Sequence, residues 1–98
     1  MAYKLIIKEE ALADTLEAYL YYESKSDGLG EKFMNALQKR YDQISLNPQH
    51  YSFTDNRKVL RDINLRGFPY VIIYDVAGTT VTVYVAHNTY KERKDYFG

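Results

Sequence analysis

The sequence predicts an α+β fold in the order β-α-α-β-β-β, an N-terminal helical hairpin packed on one face of a largely antiparallel four-stranded sheet. Three observations carry that assignment. The chain opens on a period-2 apolar pattern, continues through two segments of helical periodicity joined by a glycine-rich turn, and ends in a half dominated by β-branched and aromatic residues. Its 98 residues, 46% hydrophobic and 27% charged, match the size and composition of one ordinary domain spanning residues 1–98.

Taken in order, Tyr3, Leu5 and Ile7 alternate with Lys4, Ile6 and Lys8, which makes residues 2–8 a strand with one face on the core. From Glu9 to about Lys25 the composition turns to Ala, Leu and Glu. Leu12, Leu16, Tyr19 and Glu23 keep helical spacing, Leu20 widens the apolar stripe, and Glu9, Glu10 and Asp14 complement the positive end of the macrodipole. Ser26-Asp27-Gly28-Leu29-Gly30 is a turn short enough to fold a second helix back antiparallel. In that helix Phe33, Leu37, Tyr41 and Ile44 form the apolar stripe, with Glu31, Lys32, Lys39, Arg40 and Asp42 mostly off it, and Asn47-Pro48 stops it.

Residues 49–56 are aperiodic and read as a loop, and Arg57–Leu65 is a weak strand pattern. Tyr70–Val76 is β-branched or aromatic almost throughout, as in a central strand covered on both faces. Ala77-Gly78-Thr79 turns the chain into a last strand where Val81, Val83 and Val85 alternate with Thr82, Tyr84 and Ala86, closing a hairpin. The tail from Asn88 to Gly98 reads as a short helix or a loose arm.

Several function classes are excluded or unsupported. No cysteine is present, which removes disulfides, thiolate metal sites and a cysteine nucleophile, and fits a cytoplasmic location. The first ten residues contain only three consecutive aliphatics, too few for a signal peptide or a membrane span. No phosphate-binding or dinucleotide-binding glycine motif occurs, His50 and His87 lack the partners of a zinc site, and no serine sits in a nucleophile elbow. No cofactor or metal is expected. The formal net charge is zero, with six Lys/Arg against eight Asp/Glu in residues 1–46 and seven against five in residues 47–98, so the second half is mildly basic. That asymmetry is too small to drive tight nonspecific nucleic-acid binding.

The remaining chemistry lies in that half: Arg57, Lys58, Arg61, Arg66, His87, Tyr90, Lys91, Arg93 and Lys94. Metal-free RNA cleavage needs a base for the 2′-hydroxyl and cations for the crowded phosphate, which His, Tyr, Arg and Lys can supply. The same groups also bind proteins, since Arg and Tyr are enriched at interface hot spots and this chain has eleven tyrosines.

A set of local signatures accompanies this element order. Ala11–Asp14 and Leu16 open the first helix and Tyr21-Tyr22-Glu23 lies near its end. Gly28-Leu29-Gly30-Glu31-Lys32-Phe33 opens the second and Asn47-Pro48 closes it. Leu65-Arg66-Gly67-Phe68-Pro69-Tyr70-Val71-Ile72-Ile73-Tyr74 enters the central strand. In that arrangement the sequence resembles the RelE/ParE toxins of bacterial type II toxin–antitoxin systems, and more closely the ParE-like or plasmid-stabilisation branch.

The resemblance implies a growth-inhibiting toxin, a cognate antitoxin whose flexible segment wraps it, and a target that is either DNA gyrase or the ribosome with its mRNA. In ribosome-dependent nucleases of the RelE type a strand arginine would fall at Val71, and tail arginine and tyrosine positions near Lys91 and Phe97, with Tyr96 one place away. The resemblance therefore leaves three functions: a ParE-like toxin acting by binding, a metal-independent mRNA endonuclease using Arg66, His87, Tyr90 or Lys91, and a non-toxic degenerate binding module. Arg57, Lys58, Arg61, Arg66, Arg93, Lys94 and Tyr96 are the candidates for contacting target or antitoxin.

Overall fold

The computed structural model describes residues 2–54 and 56–88. Its elements are β1 (Lys4–Ile7), α1 (Glu9–Lys25), α2 (Leu29–Leu46), a 3-10 turn (Pro48–His50), β2 (Arg61–Asn64), β3 (Tyr70–Ala77) and β4 (Thr80–Asn88). The sheet order is β1-β4-β3-β2, with β1 parallel to β4 and the other two pairings antiparallel. The predicted α+β architecture and its mostly antiparallel sheet are therefore present. Among the described residues no helix is long and apolar enough to cross a membrane.

The main core lies between the helical hairpin and one face of the sheet. Phe33, Leu37, Tyr41 and Ile44 of α2 are all buried there, as their spacing predicts, against Ile63, Ile72, Tyr74, Val81 and Val83. The α1 stripe is different. Ala11, Thr15 and Ala18 face the core, whereas Leu12, Leu16 and Leu20 are 53%, 60% and 58% exposed. The buried positions follow i, i+4 and i+7, so the periodicity is helical but its inward face carries small residues, which let the helix lie close to the sheet. Thr15 is tolerated because its hydroxyl donates to the Ala11 carbonyl at 2.7 Å.

The hairpin joint is built by a side chain. The Glu23 carboxylate accepts hydrogen bonds from the Gly28 N–H at 3.1 Å and the Gly30 N–H at 3.0 Å, capping α2 from the end of α1. Gly30 is needed for close approach, since a Cβ there would meet the Tyr19 carbonyl oxygen at 2.8 Å.

Two strand expectations are corrected. The pattern at 57–65 yields only Arg61–Asn64, preceded by an isolated bridge between Phe53 and Arg61. In β4, Tyr84 is an extra residue: Val83 pairs with Tyr74, and the next pair is Val85 with Ile73. This bulge moves Val85 to the far side, where it joins Leu60 and Ile73 in a second apolar cluster, and the following Ala86 pairs with Ile72 of the core.

Candidate functional site

The motifs that carry the resemblance meet in space, and their chemistry is structural. Tyr22, Phe33, Phe68 and Tyr70 form one aromatic cluster. Ring centroids lie 4.9 Å apart for Tyr22–Phe68, 5.4 Å for Tyr22–Phe33, 5.4 Å for Phe33–Phe68 and 5.1 Å for Phe33–Tyr70, mostly edge to face. The end of α1, the start of α2 and the entry to β3 are thus locked together. Burial is the first cause of the raised Tyr22 pKa, with Tyr70 and Tyr21 adding to it.

That cluster positions the β2–β3 turn. Leu65 N–H donates to the Tyr70 carbonyl at 3.0 Å and Tyr70 N–H to the Phe68 carbonyl at 2.8 Å, while Gly67 takes a positive φ of 83° that a side chain would strain. The turn presents Arg66 to solvent beside the exposed side of α2. Between them runs an open groove of about 680 Å³, walled by Lys32, Ala36, Lys39 and Arg40 on α2 and by Arg66 and Phe68 on the turn. Arg40 braces the groove, its Nε donating to the Asn64 carbonyl at 2.8 Å and its NH1 to the Gln43 side-chain oxygen at 2.8 Å.

Sequence reasoning singled out Arg66 but not Lys32, Lys39 and Arg40. The signal was available, because the three recur at i, i+7 and i+8 on one side of the apolar stripe.

The other candidates separate. Arg61 is committed to the fold: its guanidinium donates to the Tyr51 carbonyl at 2.6 Å and the Gln49 carbonyl at 3.2 Å, and stacks 3.8 Å from the Phe53 ring centre. Arg57 and Lys58 are exposed in the loop before β2. On the sheet, β3 register sets Val71 between Asn64 of β2 and His87 of β4. Val71 is only 8% exposed. Tyr90, Lys91, Arg93, Lys94, Tyr96 and Phe97 lie outside the described residues.

A further feature escaped the sequence reading. Leu12, Leu16 and Leu20 form an exposed apolar ridge along α1, with Tyr21 53% exposed at its end. Contiguous exposed apolar surface of this kind marks interaction sites on soluble proteins.

Solved structures share this fold, two among them over about nine-tenths of this chain. A chain described as the chromosomal ParDE toxin–antitoxin system from P. aeruginosa superposes with a TM-score of 0.64 at 19% identity, covering 89% of this chain and 96% of that one. The E. coli toxin RelE, as a mutant with two arginines replaced by alanine and in the free state, gives a TM-score of 0.66 at 20% identity, covering 92% of this chain and 86% of that one. No curated protein matches the sequence. The fold is thus that of the RelE/ParE toxin superfamily. Within it, residues 5–89 match the family model of the ParE toxin of the type II toxin–antitoxin system parDE, and the chain belongs to that family.

Proposed function

We propose that this protein is a ParE-like toxin that arrests growth by binding a cytoplasmic target, DNA gyrase being the leading one, and that a cognate antitoxin neutralises it. The observation that carries this reading is the ParE family match over residues 5–89. The sheet chemistry supports it. Where RNA cleavage of the RelE type calls for a strand cation, this chain has a buried Val71, two residues along β3 from Ile73, which belongs with Leu60 and Val85 to an apolar cluster. Losing one preorganised charge from a phosphate-stabilising site costs about 10²–10³ in rate. The exposed leucine ridge of α1 likewise suits a protein that works by docking.

The test is induced expression without the neighbouring gene, followed by two assays on purified protein: supercoiling by gyrase, and mapping of mRNA ends on translating ribosomes. Growth arrest with impaired gyrase and intact mRNA is the expected result. Codon-positioned cuts abolished by His87→Ala or Arg66→Ala would replace this reading with the endonuclease one. Neither effect at verified soluble expression would leave a non-toxic binding module.

A further inference from the structure

The groove between α2 and the β2–β3 turn concentrates charge in a chain that has none overall. Four cations, Lys32, Lys39, Arg40 and Arg66, face one carboxylate, Asp42, which already accepts a hydrogen bond from the Gln38 amide at 2.9 Å. With a net charge of zero over all residues, the remainder of the chain carries an excess of three negative charges. The groove is not purely ionic either. Ala36 and Phe68 give it an apolar patch between the cations, and Phe68 is held there by Tyr22 and Phe33.

We propose that this groove is a binding site for a short acidic segment of a partner protein, a role that rests on reading the chain as a toxin held by a protein partner. The geometry sets the segment's chemistry. Lys32 and Lys39 are seven residues apart on α2, about 10 Å along its axis. Two carboxylates spaced i, i+7 on an occupying helix match that separation, with one small apolar side chain between them to cover Ala36 and Phe68. A nucleic-acid strand fits less well. Its affinity grows with the number of phosphates neutralised, and the groove offers only four cations in a chain whose remainder carries a net negative charge. Arg40, already bonded to Asn64 and Gln43, acts as a preformed wall of fixed orientation, whereas exposed Lys32, Lys39 and Arg66 adapt to the ligand.

The experiment uses the full chain and three defined probes of about 12 units each: an amphipathic peptide with Glu at the i, i+7 positions, the same peptide with Lys in their place, and a single-stranded RNA. Isotopically labelled protein is titrated with each and the shifted amides are mapped. The acidic peptide alone should shift α2 and the β2–β3 turn. Its affinity should fall with added salt, and by about tenfold in the Lys39→Glu/Arg66→Glu variant. Lys4→Glu, an exposed charge reversal on β1 at the sheet edge opposite β2 and outside the groove, should leave it unchanged. Melting temperatures of both variants verify folding, and Lys39→Gln/Arg66→Gln should show an intermediate loss. Equal binding of the acidic and basic peptides, no binding of the acidic peptide, indifference to charge reversal, or tighter binding of RNA in the same groove would each overturn the proposal.

A parallel arm titrates the product of the neighbouring reading frame. A complex that ignores the reversed charges would sink the groove assignment and leave the toxin reading standing. Failure of the wild-type chain to form any complex would sink the toxin reading, while the peptide arm still decides the groove.

Discussion

Two buried tyrosines on the same core make opposite demands. Tyr74 is fully buried and its hydroxyl donates to the Pro48 carbonyl at 2.7 Å, tying β3 to the turn after α2. Tyr41 is also buried, yet among the described residues its hydroxyl has no hydrogen-bond partner. Tyr74→Phe leaves a buried carbonyl without its donor and should cost about 1–2 kcal/mol, whereas Tyr41→Phe removes an uncompensated polar atom and should be neutral or stabilising by up to about 1 kcal/mol. Urea melts of the two variants decide it, and equal destabilisation would refute the contrast. Glu23 gives a second residue-scale prediction. It satisfies the Gly28 and Gly30 N–H groups at the start of α2, so Glu23→Ala should cost about 1 kcal/mol and Glu23→Gln, which keeps one acceptor oxygen, less. Gly30→Ala should be worse than either, at about 1–3 kcal/mol, because its Cβ would meet the Tyr19 carbonyl oxygen at 2.8 Å and also crowd the Tyr19 ring and the capping Glu23 carboxylate, each at 3.0 Å.

At the scale of elements, α1 inverts the usual rule that the most apolar stripe is the buried one. Its inward positions are Ala11, Thr15 and Ala18, and its leucines face out. Leu16→Ser should therefore change stability by no more than about 0.5 kcal/mol, while Ala18→Leu, which adds volume to a side chain only 1% exposed, should cost about 1–3 kcal/mol. A large loss in Leu16→Ser would mean that the ridge packs inward after all. The same helix shows what the sequence could and could not reveal. The helices, the hairpin turn, the apolar face of α2 and the β3–β4 hairpin were legible because period and turn chemistry are local properties. Which face of α1 meets the sheet was not, since it depends on how closely two elements approach. The bulge at Tyr84 was hidden for a related reason: Val81, Val83 and Val85 form an unbroken alternation, and only pairing with β3 reveals the extra residue. The groove was half legible: Arg66 stands in the strand-entry motif and Lys32, Lys39 and Arg40 share one side of α2, but that these two sets face each other is set by the packing of α2 on the β2–β3 turn.

Across the whole molecule, tyrosine burial sets an alkaline limit to stability. Tyr41 is pushed up to about 12 by burial, a rise that the nearby Thr15 hydroxyl moderates. Tyr84 is pushed up to about 12 first by its hydrogen bond to Asp75, 2.7 Å away, and then by burial and the Asp75 charge. Burial also raises Tyr74, with the Arg61 charge opposing it, and Tyr22. In each case the fold favours the neutral phenol over the phenolate. A folded pKa above the unfolded value of about 10 means that the native state holds its protons more tightly, so this stabilisation is fully present below pH of about 10 and is lost as pH rises through the folded values. The urea midpoint should fall steeply between pH of about 10 and 12, in step with the appearance of phenolate absorbance. Tyr41→Phe should flatten that fall most clearly among the safe substitutions, since its hydroxyl is buried and donates to no acceptor among the described residues. Tyr84→Phe should flatten it less, because Tyr84 is only half-buried and solvent screens its interaction with Asp75. A midpoint that declines identically in wild type and Tyr41→Phe would remove Tyr41 from the alkaline transition and refute this prediction.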